Sequence, residues 1–434
     1  QLRLGWLLVA SLAFYAYWDI RFLPLLAGSV LFNWLLSWRL GETNRSALIA
    51  LGVGFNLALI GLYKYLEFFG GDIYAVRGRD YSPYEWVLPL GISFFTFQQI
   101  SYLVDRSRHC APHYPLLEYA LYVTFFPQLI AGPIIRHNEI IAQYRKSPLR
   151  PDIYHHLGAG AVLFAIGLAK KTLVADRLAE TATPLFDLAA GGELLTLGES
   201  WSAAIAYSLQ LYFDFSGYSD MAIGLGLMFG YQLPVNFNAP YRAADIQDFW
   251  RRWHMTLSRF LRDYLYIPLG GNRHGRARML LALLVTMLLG GLWHGAGWTF
   301  VIWGMLHGLA LVAQRIWRAV SARSLAPYLS WSMLILFLLF SWVVFRADSV
   351  TTAWSMWASM VGANGTDLEV RDAPGRWFSL AAFGLAVIGP TSQLFVQRQL
   401  KPKPVYAMAC ALFLFYLTLN VANDGYTEFL YFQF

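Results

Sequence analysis

Charge is scarce in this chain. Only 14% of its 434 residues are Asp, Glu, Lys or Arg, against 57% hydrophobic residues, and that imbalance excludes an ordinary soluble globular domain. Cysteine is nearly missing as well. Cys110 and Cys410 stand far apart without metal-ligand spacing, which excludes a disulfide framework and a cysteine zinc site and leaves two inert core thiols as the expectation. There is no internal repeat, no low-complexity linker and no large hydrophilic stretch, so one membrane-embedded domain over 1–434 is expected. The formal charge of +7 sits beside apolar runs and no nucleic-acid module is visible, so nucleic acid is not an expected partner.

What the chain has in abundance is apolar sequence in runs of membrane-crossing length. A bilayer core of ~30 Å takes about 20 residues per helix. Such runs fall at roughly 4–20, 22–38, 46–69, 84–104, 117–134, 157–175, 199–213 and 217–232, then at 279–292, 296–314, 328–345, 377–395 and 405–422. The first reads as a retained helix, not a cleaved signal. Seventeen Trp and 25 Tyr suit the aromatic belts at the lipid headgroups. The expected class is an all-α polytopic membrane protein of about 11–13 transmembrane or re-entrant helices. Pro and Gly interrupt the runs at 88–93 and 125–133. Such breaks are either packing kinks or the wall of a cavity that satisfies the freed backbone.

The charges that exist are concentrated. Between Tyr241 and Arg278 lie eight arginines (242, 251, 252, 259, 262, 273, 276 and 278) and three aspartates (245, 248 and 263), a bias that points this segment to the cytoplasm. Arg398, Lys401 and Lys403 mark a second cytoplasmic loop and put the C-terminus outside. Asp214 and Asp220 lie in a polar stretch between two apolar runs. Each costs at least ~2.5 kcal/mol there unless paired or facing a cavity. The Arg-rich segment is the expected source of partners, and structural and catalytic roles are both open.

Two histidines stand out. His254 ends Asp248-Phe249-Trp250-Arg251-Arg252-Trp253-His254, and His294 lies in Gly290-Gly291-Leu292-Trp293-His294-Gly295-Ala296-Gly297-Trp298. The 13 residues from Met279 to Gly291 reach only about 20 Å, so His294 is expected inside the membrane, where an ionisable side chain is a functional candidate by default. A neutral imidazole out of water makes a general base. Trp293 and His307 are expected as supporting or tunnel-lining groups, His307 in helix packing or gating. His109, His113, His155 and His156 are expected in solvated polar loops.

The blocks Phe249-Trp250-Arg251-Arg252-Trp253-His254, Arg262 to Arg273 and Gly290 to Gly295 resemble signature blocks of the membrane-bound O-acyltransferase family, in particular its bacterial branch that O-acetylates exported polysaccharides. The likeness extends through Gln210 to Gly226, Leu129 to Arg136 and Phe429 to Phe434. It implies a ring of helices enclosing a tunnel, with a catalytic segment at about 241–307. His294 matches the family's catalytic histidine and His254 its second polar position. The resemblance further implies no bound cofactor or metal, acetyl-CoA as the cytoplasmic donor substrate, a bacterial inner-membrane location, and transfer across that membrane. Lacking a large soluble domain, such a chain needs a periplasmic SGNH-type acetyltransferase partner; membrane lipids are its other company. Alginate is the first expected polymer. D-alanyl transfer to teichoic acid, acylation of cellulose or peptidoglycan, and a transporter without covalent chemistry are the alternatives. Arg251, Arg252, Arg262, Asn272 and Arg273 are candidate contacts for the coenzyme A phosphates, or else anchors for lipid headgroups. Tyr431 carries a hydroxyl close to the C-terminus, and is either an acetyl relay toward the partner or an interfacial aromatic anchor.

Overall fold

The structure, a computed structural model, describes residues 1–40, 45–66, 68–70, 87–129, 132–147, 153–321, 325–370, 376–398, 404–424 and 429–430. Every regular element among them is helical. Seven segments are long and apolar enough to cross a membrane: Leu2–Arg39, Ser46–Tyr65, Ile153–Ala190, Arg276–His294, Trp298–Val320, Pro327–Arg346 and Pro404–Ala422. The chain is an all-α polytopic membrane protein. Its residues group into two compact units, one of Gln1–Gly160 with Ala222–Pro234 and one of Ala161–Met221 with Val235–Phe434.

In the first unit the helices are α1 (Leu2–Asp19), α2 (Leu23–Arg39), α3 (Arg45–Ile60), α4 (Ile92–Ser107), α5 (Leu116–Thr124), α6 (Phe126–Leu129) and α7 (His137–Tyr144). Polar pairs hold them together. Asn33 and Asn56, both fully buried, exchange amide hydrogen bonds of 2.7 and 3.4 Å between α2 and α3, and Gln99 of α4 donates to Ser29 at 2.9 Å. Among apolar helices such bonds act as glue. The run expected at 84–104 is shorter as a helix, because Gly91 takes φ +67° and α4 starts after it. A Cβ there would meet the Leu129 carbonyl oxygen at 2.6 Å. The run at 117–134 breaks into α5 and α6 beside Pro127.

The second unit contains the blocks that carry His254 and His294. It includes the C-terminal part of α8 (Ile153–Ala169), then α9 (Asp176–Ala190), and most of α10 (Leu197–Met228). The two spans expected at 199–213 and 217–232 are one continuous helix of 32 residues. The reason is local: Gly217 lets α10 lie against Gly167, where a Cβ would sit 2.7 Å from the Gly167 carbonyl oxygen, and the acids are neutralised by partners rather than excluded from the helix. After the short helices α11 (Ile246–Trp250) and α12 (Met255–Leu261) come α13 (Arg276–His294), α14 (Trp298–Val320), α15 (Pro327–Arg346), α16 (Val350–Met360), α17 (Arg376–Ile388), α18 (Ser392–Arg398) and α19 (Pro404–Asp424).

α13 corrects a second expectation. With 19 residues it is about 28 Å long and nearly matches the ~30 Å hydrocarbon core. The helix begins at Arg276, three residues before the apolar run, because exposed Arg276 and Arg278 are accommodated in its first turn. Helix length therefore does not place His294 at mid-membrane; its neighbours enclose it instead. Neither cysteine is a core thiol. Cys110 is exposed and Cys410 half-exposed, the latter on a helix only 6% buried. Of the four histidines expected in solvated loops, His156 is buried on α8 and His113 Nδ1 lies 3.1 Å from Ser37 Oγ.

Candidate active site

His254 is placed by backbone. Asp245 caps α11, its carboxylate accepting the Asp248 amide at 2.9 Å, and the chain then reverses through Arg251-Arg252-Trp253. His254 takes φ 41° and ψ 54°, a conformation rare for a side chain of its size and kept only where surroundings impose it. Asn236 imposes it. Its carbonyl accepts the Met255 amide at 2.9 Å, and its side-chain oxygen receives Thr256 N at 3.3 Å, Thr256 Oγ1 at 2.9 Å and His254 Nδ1 at 3.1 Å. The side-chain amide of Asn236 donates in turn to Ser219 Oγ at 3.2 Å.

This clamp assigns the tautomer. A backbone N–H such as that of Thr256 can only donate, so the Asn236 atom facing it is oxygen. His254 Nδ1 must then carry the proton, and Nε2 keeps its lone pair. Nε2 is buried and has no hydrogen-bond partner. His254 is fully buried, and this loss of water pulls its imidazole from the ordinary histidine range down to about 3, so it is neutral at physiological pH.

His294 is the last residue of α13 and 5% exposed. Its position follows from glycine. Gly291 and Gly304 bring α13 and α14 backbone to backbone, with a Cβ on Gly291 falling 2.8 Å from Gly304 Cα, and this crossing sets His294 beside Trp303. The rings around His294 are Trp293 at 5.0 Å, Trp303 at 5.1 Å and Phe345 at 5.3 Å. Trp293 also lies 6.3 Å from His254, so one indole neighbours both histidines.

His307 continues the series. Its ring is 4.6 Å from Trp303, which makes an alternation of histidine and tryptophan from His254 through Trp293, His294 and Trp303 to His307. Nothing in the spacing of 294 and 307 forecast that closeness. Ser341 Oγ donates to the Leu338 carbonyl at 2.9 Å, so His307 Nε2 donates to Ser341 at 3.2 Å and Nδ1 is left without a partner. The buried indole N–H groups of Trp250 and Trp303 also lack one. Each unmade bond of this kind costs about 1–3 kcal/mol.

Besides a cavity of about 830 Å³ that shares Phe337 as a wall, two cavities stop one side chain short of the histidines. The first, of about 350 Å³, is walled by Tyr212, Phe237, Leu173, Leu385 and Phe413 with Lys170 and Asp220; Phe237 stacks on His254 at 6.4 Å and 22°. The second, of about 420 Å³, is walled by Phe337, Phe340, Ser341 and Trp357 and reaches His307 through Phe337 and Ser341.

The two acids do not pair with the arginines. Asp214 faces Lys171 at 3.0 Å, while Asp220 accepts from Lys170 at 2.6 Å and from Gln393 at 2.6 Å. Two adjacent lysines inside an apolar run, Lys170 and Lys171, were the available signal. Asn236 had no comparable signal. Of the candidate donor contacts, Arg251, Arg262, Asn272 and Arg273 are exposed and Arg252 is half-buried. Arg252 pairs with Asp248 at 3.0 Å, Arg262 with Asp263 at 2.6 Å, and Asn272 accepts from Tyr266 at 2.6 Å. All five reach the surface, unlike the buried histidines. Arg242 is structural, donating to the Val387 and Gly389 carbonyls at the end of α17. Tyr431 lies outside the described residues. Just before it, Phe429 packs on Tyr218 at 4.2 Å and Phe215 at 5.8 Å, and the Leu430 amide donates to Asp214 at 3.2 Å.

Residues 81–357 match the profile of MBOAT, the membrane-bound O-acyltransferase family. The chain is 42% identical to a peptidoglycan O-acetyltransferase of Helicobacter pylori, over 84% of this chain and 74% of that protein. It is 36% identical to a probable alginate O-acetylase, AlgI, of Azotobacter vinelandii, over 99% and 94%. A teichoic acid D-alanyltransferase of Streptococcus thermophilus is 30% identical over 52% of this chain and 57% of its own.

Proposed function

The chain belongs to the membrane-bound O-acyltransferase family, and from that premise we propose that it takes an acetyl group from cytoplasmic acetyl-CoA and passes it across a bacterial inner membrane to an exported polysaccharide. It is an O-acyltransferase and a multi-pass membrane protein. The observation that carries the mechanism is the pair of enclosed histidines that share Trp293 as a neighbour. His294 acts as the base that takes the proton of an acceptor hydroxyl. His254, held neutral with its Nε2 lone pair free, assists by accepting a hydrogen bond from the same acceptor or from an ordered water. Exclusion of water by the surrounding rings keeps the thioester from hydrolysis and strengthens each polar contact.

Alginate and peptidoglycan are both acceptors in the names of the relatives, and alginate remains the first choice. The cytoplasmic face of the arginine-rich segment would meet the donor, and an SGNH-type periplasmic acetyltransferase would finish the transfer. Tyr431 is the proposed intermediate acceptor. In its support, the residues just before it are anchored on Asp214 and on Phe215, and Phe215 lies 4.8 Å from His254. D-alanyl transfer from a charged carrier protein is the alternative, favoured only by the partial likeness to the D-alanyltransferase. Release of free coenzyme A from acetyl-CoA by the purified protein in nanodiscs tests the proposal. Wild type is expected to turn over and Tyr431→Phe to stop acetyl delivery to the polymer; turnover on a charged carrier alone would replace acetyl-CoA as donor.

A further inference from the structure

Attack on a thioester passes through a tetrahedral intermediate whose oxyanion needs a donor already in place in a dry setting. We propose that the indole Nε1–H of Trp303 is that donor, an inference that rests on the acyl-transfer reading above. Trp303 is 1% exposed and stands between His294, at 5.1 Å and 87°, and His307, at 4.6 Å. Trp342 and Phe345 pack on it at 5.7 and 5.1 Å.

Buried indole N–H groups ordinarily find an acceptor, and this one has none. An unmade bond at the centre of an otherwise closely packed cluster is accounted for by an acceptor that arrives only with substrate. The donor is also rigidly tied to the base. Trp303 precedes Gly304, and His294 follows Gly291 by three residues, so the backbone contact of those two glycines fixes Trp303 and His294 relative to each other. Trp250, whose N–H is likewise unpartnered, packs on Trp303 and His307 at 5.9 and 5.4 Å and backs the donor.

The step balances as follows. The acceptor hydroxyl oxygen bonds to the thioester carbon as its proton passes to the imidazole of His294. The carbonyl π pair moves onto oxygen, where the Trp303 N–H holds it. Collapse restores the carbonyl, breaks the carbon–sulfur bond, and sends the proton from His294 to the departing thiolate, giving an ester and a free thiol.

Two variants test this: Trp303→Phe, and replacement of Trp303 by β-(3-benzothienyl)alanine, which keeps the bicyclic shape and exchanges N–H for sulfur. Both are expected to lower kcat for acetyl transfer by roughly 10²–10³-fold, with KM for acetyl-CoA within about 2-fold of wild type and the pH profile of kcat unmoved. If Trp303→Phe unfolds in a thermal scan, the isosteric variant carries the test. Retention of kcat within about 3-fold overturns the proposal. So does a loss accompanied by a shifted pH profile, because Trp303 would then orient His294 and not hold the oxyanion. The premise fails separately: a wild type that transfers no acetyl group sinks the acyl-transfer reading and this inference with it, whereas an active wild type with an active Trp303→Phe sinks only the inference.

Discussion

His137 in the first unit and His254 in the second are both buried below 2% exposure, yet they are built to opposite ends. His137 has both ring nitrogens engaged, Nδ1 with Tyr114 at 3.0 Å and Nε2 with Asp105 at 3.2 Å. His254 has one nitrogen clamped by Asn236 and the other left bare. A buried polar group that is fully satisfied holds a fold together, and one left half-satisfied carries a cost that stability does not explain. Burial alone does not distinguish the two kinds of histidine. The count of unmade bonds does.

The comparison breaks most visibly in turnover. His294→Ala is expected to lower acetyl transfer by roughly 10²–10⁴-fold, the contribution of a positioned general base. The same substitution at His137 is expected to leave the rate per folded molecule within about 2-fold, since nothing there awaits a ligand. Release of free coenzyme A from both variants, scaled to the folded fraction, is the measurement. Equal losses would place the chemistry elsewhere.

Stability reverses the order. His137→Ala removes one partner each from the Asp105 carboxylate and the Tyr114 hydroxyl, at about 1–3 kcal/mol, and should lower the thermal midpoint in detergent. His294→Phe keeps the ring contacts with Trp293, Trp303 and Phe345 and should lower the midpoint less than His137→Ala does while abolishing turnover.

These three histidines were unequally legible in the sequence. His294 and His254 stood in motifs that announced them, whereas His137 had only Asp105 and Tyr114 far off in the chain as partners. The nearness of His254 to His294 was not readable either, because it depends on Gly291 meeting Gly304 and on Asn236 reaching across 18 residues. Helix boundaries failed where charge was misjudged. A polar stretch was expected to interrupt α10, and arginines were expected to end α13. Paired lysines and an exposed first turn carried both helices through. The all-helical membrane class needed nothing beyond hydropathy, since only satisfied backbone can cross lipid.

Acid sharpens the comparison on a smaller scale. The folded value of His254 is near 3 against about 6.5 for an ordinary histidine, a depressed value. Its contribution is complete above pH 6.5, because there neither folded nor unfolded chain holds the proton. As pH falls below 6.5 the unfolded chain takes up the proton first. Stability then drops by about 1.4 kcal/mol per pH unit until about pH 3, or about 2 kcal/mol by pH 5. Thermal midpoints at pH 7 and pH 5 should differ less in His254→Gln than in wild type. The kcat profile should show no inflection from His254 between pH 5 and 8, and one that disappears in His254→Gln would contradict its buried neutral state.

The smallest effect is expected at the exposed arginines, where polar groups are neither buried nor unmet. Arg262 is 62% exposed while pairing with Asp263, and such surface pairs are worth at most about 1 kcal/mol, so its guanidinium is free to exchange Asp263 for a phosphate. Arg262→Gln and Arg273→Gln are each expected to raise KM for acetyl-CoA about 3–10-fold with kcat unchanged, by loss of a charge-assisted contact. The difference from wild type should shrink as salt is raised, because an exposed contact is screened within a Debye length of ~8 Å at physiological ionic strength. The histidine variants should be indifferent to salt. A KM that stays put in both arginine variants would assign these residues to lipid headgroups, and the donor phosphates would then have to meet another face of the chain.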